Sequence, residues 1–112
     1  MKAPNLRRRM VLETPQRIPD GAGGFVEGWQ PLGEVWAEVS GKPGREVSGG
    51  LAALSQSGQQ IVLRAAPVGS TKRPRPDQRL REDTRIFTIL AVSESDPAGR
   101  YLTCLTCEEV AR

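Results

Sequence analysis

The 112-residue chain carries 16 Lys+Arg against 13 Asp+Glu, a formal charge of +3, two cysteines and no histidine. That length fits one domain, since cores divide only beyond roughly 250 residues, and 38% AVILMFWYC residues with 12 glycines support a modest core rather than wholesale disorder. Without histidine the commonest general base, metal ligand and nucleophile partner is missing, and two cysteines cannot close a four-ligand zinc site. Composition therefore weighs against an enzyme and predicts no cofactor and no metal.

Along the chain, short apolar runs alternate with turn signals. Arg7–Glu13 reads as a strand with Met10 and Leu12 on one face and Arg9 and Val11 on the other. Thr14–Gly24 reads as a loop, because two prolines lack backbone donors and Asp20–Gly21 favours a turn. Gly24–Gln30 adds a short strand. Glu34–Ser40 alternates cleanly, with Val35, Ala37 and Val39 opposite Glu34, Trp36 and Glu38. Ser40–Gly50 is a second loop. Val47–Ser57 has some helical character through Leu51–Leu54, weakened by Gly49–Gly50.

Further on, Gln60–Ala66 groups Ile61, Leu63 and Ala65, and Val68–Asp77 is a third loop. Arg85–Val92 is apolar on both faces, as a central or doubly covered strand is. Arg100–Cys107 is rich in strand formers and pairs with it across the Ser95–Gly99 turn. The pattern predicts an all-β fold: a small barrel or sandwich of five to six mainly antiparallel strands, with long loops and at most one short helix. No crossover helices exist to build parallel βαβ units.

No stretch approaches the roughly 20 apolar residues that span a bilayer. The basic Met1–Met10 is not followed by the apolar region of a secretory signal. The expectation is a cytoplasmic protein without a membrane partner, its thiols reduced. Cys104 and Cys107 lie three apart in a strand, so they point to opposite faces and suit neither a disulfide nor chelation within one chain.

Two surface features are candidates for function. Lys72, Arg73, Arg75, Arg79, Arg81 and Arg85 gather positive charge, interrupted by Asp77, Glu82 and Asp83. Such a stretch either follows a nucleic-acid backbone or is a solvated loop paired with its own acids. Trp29 and Trp36 are large anchors that either close the barrel's second side or dock into a neighbouring chain. Glu34 and Glu38 share the face of Trp36 and favour a subunit contact or a rim.

In order, these pieces resemble the phage head–tail joining family, also called head-completion or stopper proteins. Leu6-Arg7-Arg8-Arg9-Met10-Val11-Leu12 with Thr14-Pro15 is similar to that family's opening strand and Pro loop. Asp20-Gly21-Ala22-Gly23-Gly24-Phe25 with Trp29 follows, then Val35-Trp36-Ala37 and Gly44-Arg45-Glu46. Leu63-Arg64, Pro74 to Pro76, Arg85-Ile86-Phe87-Thr88-Ile89 and Leu102 to Glu108 complete the order, while Val47–Gln60 and Gly69–Gln78 depart from the pattern.

The resemblance implies a structural head–tail connector of a tailed phage, prophage or gene transfer agent, made in the bacterial cytoplasm and placed in the particle's neck. Such proteins are small barrels that form a ring, hexameric or else dodecameric, below a portal and its adaptor. They help retain packaged double-stranded DNA and offer the docking surface for the tail terminator or tail tube. The 13 arginines against three lysines suggest a GC-rich source and favour a gene transfer agent.

On this reading Lys42, Arg45, Lys72, Arg73 and Arg75 are candidates to face DNA in the channel. Trp29, Glu34, Trp36 and Glu38 are candidates for subunit or ring contacts. The rival readings are an adaptor, which is mostly helical, a tail terminator with helices packed on a sheet, and a free oligonucleotide-binding barrel with exposed aromatics on adjacent strands.

Overall fold

The computed structural model describes residues 3–41 and 56–109. Six strands, β1 (Arg8–Pro19), β2 (Phe25–Gly41), β3 (Gln56–Arg64), β4 (Arg79–Glu82), β5 (Arg85–Glu94) and β6 (Tyr101–Glu109), form one antiparallel sheet. Its order is β1-β2-β3-β6-β5-β4, and β4 pairs back onto β1 through Val11↔Arg81, Leu12↔Leu80 and Glu13↔Arg79, so the sheet closes into a barrel. Closure removes the sheet edges over the length that takes part.

Alternation explains the core. Every strand turns its even or odd set inward, and Met10, Leu12, Ala37, Ile61, Leu63, Leu80, Phe87, Ile89, Leu102 and Cys104 meet there essentially without exposure. Val35, Val39 and Ala65 pack against this cluster, so the faces read from the sequence for β1, β2 and β3 hold. Cys104 and Cys107 are both free and buried. Burial among apolar side chains pushes the Cys104 thiol up to about 12.

Several sequence expectations change. Thr14–Pro19 is not loop but the second half of β1, laddered to Phe25–Gln30. Its prolines face Trp29 and Phe25 across the ladder. Residues four apart in a strand turn their nitrogens the same way, so both prolines spend their missing donor on the outer edge of β1. Gly24–Gln30 and Glu34–Ser40 are parts of one 17-residue strand, with a register shift opposite Leu12/Glu13 absorbing an extra residue. The basic stretch contains a strand, β4, that the charge density concealed.

β5 lies between β4 and β6 but only one of its faces is covered, since Leu90 on the other is 46% exposed. Of Val47–Ser57, residues 47–55 lie outside the described residues, and Gln56 and Ser57 open β3 as strand rather than helix. No helix occurs among the described residues.

All pairings are antiparallel, so the connections alternate between the two ends of the barrel, and the one from β3 to β4 crosses over β6 and β5. One end carries the β1–β2 hairpin, residues 65–78 and the β5–β6 turn. At the other end lie Gly41, Gln56, the Asp83–Thr84 turn and Glu109. Beyond Glu13 and Pro31 the β1–β2 hairpin leaves the barrel as a two-stranded arm. This arm contributes to a shape of 54 × 35 × 22 Å.

Candidate functional site

The end bearing Gly41 and Gln56 is sealed by charge. Arg8, Glu82, Arg85 and Glu108 sit two residues beyond Met10, Leu80, Phe87 and Thr106, so each continues the inward-facing row past the apolar core. Arg8 forms a two-point pair with Glu82, its Nε donating at 2.9 Å. Arg85 grips Glu108 at 2.6 and 2.9 Å, approaches Glu82 at 3.8 Å and lies over the Phe87 ring. Hydrogen bonds from Arg8 and Arg85 hold Glu82 and Glu108 below the usual carboxylate range. Two cations and two anions cancel, so this network closes the barrel without attracting an external ion.

The opposite end is covered by residues 65–78, an ordered segment. Ser70 N donates to Pro67 O, Lys72 N to Ser70 Oγ and Gln78 N to Arg75 O, while Gln78 Oε1 accepts from Arg75 N. Asp77 takes a left-handed conformation (φ 76°) as the chain enters β4, its N–H reaching Ile89 O.

Within this segment the three predicted channel cations differ. Arg73 is half-buried and donates from Nη1 to Ala66 O at 2.8 Å, which makes it a brace of the loop. Lys72 and Arg75 are exposed and form no ion pair among the described residues. Arg73 and Arg75 line a cleft of about 570 Å³ with Leu32 and Thr14. Lys42 and Arg45 lie outside the described residues. The strand ends that flank them, Gly41 and Gln56, are at the other end of the barrel from Lys72.

The remaining arginines of the basic stretch are engaged. Arg79 and Arg81 donate to the two oxygens of Glu13 at 2.7 and 3.0 Å, and Arg79 stacks on Trp29 at 4.1 Å. Burial opposes the charge on Glu13, which is 5% exposed, but the two guanidiniums outweigh it and its pKa lies below the ordinary value. Arg79, Arg81 and Arg85 are thus paired with acids, but on strands β4 and β5 rather than in a solvated loop, and Glu13 and Glu108 come from distant strands rather than neighbouring positions.

Trp36 stands on the outer face of β2, 53% exposed, so it is not the closing anchor of the core. Arg9 approaches Glu34 beside it at 3.7 Å, and Glu38 accepts from Asn5 N at 3.2 Å. Above Ala37↔Leu63 the ladder between β2 and β3 stops. There the chain splits, because Ala65 N bonds Arg100 O on the other side. The split leaves a cleft of about 420 Å³ lined by Leu6, Val35, Trp36, Arg64, Ala66 and Lys72, with Glu34 at its rim. The fold thereby brings together Lys72 with Trp36 and Glu34, which sequence reading kept in separate groups.

The sequence reading missed the arm. Ile18, Phe25, Val26 and Trp29 are 42, 55, 52 and 38% exposed. Its turn is built by Asp20, whose Oδ1 accepts from Ala22 N and Gly24 N at 2.8 and 3.1 Å, with Gly21 and Gly23 in the left-handed region (φ 82° and 87°). Those backbone bonds hold the Asp20 carboxyl below its usual range. The available signal was apolar residues, Ile18 on one side and Phe25-Val26 on the other, flanking a Pro-Asp-Gly turn.

Taken together, this is a closed all-β barrel with ion-pair networks around Glu13 and around Glu82 and Glu108, and with apolar residues exposed on its arm and beside its cleft. The sequence matches the family model of phage head completion proteins over residues 1–110, and the chain belongs to that family. A chain from the virion of a native gene transfer agent particle is 52% identical, covers 98% of this chain and 100% of its own length, and superposes with a TM-score of 0.80. A protein from Shigella flexneri 2a, solved in solution, shares the fold at 23% identity with a TM-score of 0.68, covering 100% of this chain and 99% of its own. No curated protein sequence matches the chain significantly. The family and the particle relative identify a head–tail connector of the stopper kind in a phage-like particle.

Proposed function

We propose that copies of this chain form a closed ring in the particle's neck, beneath a portal and adaptor, where the ring helps retain packaged double-stranded DNA and receives the tail terminator or tail tube. The observation that carries this reading is the 52% identical chain spanning the same length in a gene transfer agent virion. The work is mechanical, which accords with the family. Assembly takes place in the bacterial cytoplasm. The ring has six subunits, or else twelve.

Arg75 is the cation of this segment that faces the channel, since Arg73 is committed to Ala66 and Lys72 borders the β2–β3 cleft. Repeating an unpaired cation around a ring builds a positive collar from a modest total charge. Lys42 and Arg45, outside the described residues, are the other cations proposed to face the channel. Trp36 with Glu34 and Glu38, and Trp29 on the arm, supply contacts between subunits or rings.

Deleting the gene tests this reading. Tailless heads that have lost their DNA are expected by electron microscopy and by nuclease sensitivity of the packaged DNA. Normal numbers of tailed, DNA-filled particles would overturn it. Arg75→Glu is expected to lower DNA retention while leaving the ring in place.

A further inference from the structure

Resting on the ring reading above, we infer that the tip of the β1–β2 arm of one copy inserts into the β2–β3 cleft of the next copy. The chain carries both halves of such a contact at separate places. The tip is convex and apolar, with Ile18, Phe25 and Val26 about half exposed. The cleft is concave and apolar at its base, with Leu6, Val35 and Trp36. A convex patch and a concave patch at different sites on one chain define a heterologous contact, which runs head to tail and makes a ring where the rotation closes, rather than pairing two copies.

Charge matches as well. Arg17 is occupied over the Phe25 ring at 4.4 Å, which leaves Asp20 and Glu27 as the acids of the tip. Arg64 and Lys72 border the cleft, and neither is in an ion pair among the described residues. A two-stranded ribbon is marginal in water by itself, so an arm with apolar side chains on both faces gains order by docking. The arm cannot fill its own cleft. Lys72 packs beside Gly33, six residues from Glu27 along β2, which is about 20 Å in a strand.

That separation makes the test direct. Purified wild-type particles are treated with a water-soluble carbodiimide, which joins a carboxylate to an amine only when they touch. The expected result is a ladder of covalent multimers of this chain on a denaturing gel, with a Glu27–Lys72 linked peptide by mass spectrometry. A second arm compares incorporation into particles: Glu27→Lys lowers it at least tenfold, and adding Lys72→Glu restores it. If the chain is in the particles but Glu27 links to another protein or to nothing, or if the single and double variants incorporate equally, the arm-in-cleft contact is wrong while the neck function stands. If the chain is absent from particles, both fall.

Discussion

β1 and β2 each serve two regions with opposite physics. Their inner halves, around Met10, Leu12, Val35 and Ala37, have neighbours on both sides and lose their apolar surface to the barrel. Their outer halves pair only with each other and keep Ile18, Phe25, Val26 and Trp29 in solvent. One hairpin is thus core at its base and unpartnered surface at its tip. The switch falls where the register shifts at Leu12/Glu13 and where Glu13 is clamped by Arg79 and Arg81. The difference teaches that strand patterning alone does not say which apolar residues hold the chain together and which wait for another protein.

Substitutions in the two regions should separate stability from assembly. Phe87→Ala removes a ring with no exposure at the centre of the barrel and is expected to cost about 3–5 kcal/mol, read by urea denaturation of the isolated chain. An unchanged midpoint would show that the barrel is not the source of stability.

Glu13→Ala strips the clamp between base and arm and leaves two guanidiniums facing each other. With the arginines partly solvated, a loss of about 1–2 kcal/mol is expected. Glu13→Gln should recover part of it, since one amide oxygen still accepts.

Acid should weaken the base, where three carboxylates are clamped by arginines. Glu13, Glu82 and Glu108 all have folded pKa values below the ordinary 4.5, Glu13 because its two arginines overcome burial and the other two through arginine hydrogen bonds first. Lowered values mean that the unfolded state binds protons first. Their stabilisation is therefore complete above about pH 5 and drains away as pH falls through the ordinary value towards the folded ones. Melting temperature should be flat from pH 8 to pH 6 and fall below pH 5. A flat profile down to pH 3 would show that the sealing network adds nothing.

The smallest stability effect belongs to the tip and to Trp36. Phe25→Ser is expected to shift stability by no more than about 0.5 kcal/mol, as for an exposed site, and Trp36→Ala by less than about 1 kcal/mol. Both chains should fold yet fail to enter particles. A Trp36→Ala chain that unfolds would return Trp36 to the core. Thiol labelling offers a check that perturbs nothing. Cys104, held near 12 by burial, should resist a thiol reagent at pH 8 in the native chain and react fully once unfolded.

Much of the barrel was legible because period-two alternation needs only local information. Met10/Leu12, Val35/Ala37/Val39 and Ile61/Leu63 show their inner faces within seven residues or fewer. The hairpin of β5 and β6 was equally plain, since Asp96, Pro97 and Gly99 mark a turn between two apolar runs. Here Asp96 accepts from Arg100 N and Tyr101 N at the turn. What local reading obscured was set by distant partners. Prolines 15 and 19 signal a loop in isolation, and only the ladder to Phe25–Trp29 shows that their nitrogens face an open edge. Arg79–Glu82 reads as solvated charge, whereas Leu80 faces the core, Glu82 continues its row into the charged end, and Glu13, 66 and 68 residues earlier, receives the arginines outside.

The sites divided in the same way. Trp36 was readable as an outward residue from its position opposite Val35 and Ala37. The cleft beneath it was not, because it exists only where β2 and β3 part company. The sequence by itself determined a small, histidine-free, all-β chain of one family, since composition and alternation are properties of the string. The modest +3 was likewise known, but its disposition was decided in three dimensions. Arg8, Arg79, Arg81 and Arg85 pair with acids from other strands, whereas Arg7, Arg17, Arg64, Lys72 and Arg75 stay exposed without an ion pair among the described residues. Closure of β4 onto β1, the bare arm and the split that makes the cleft were likewise tertiary decisions. Each depends on which strand lies beside which, and that follows from packing the whole chain around one core rather than from any segment of it.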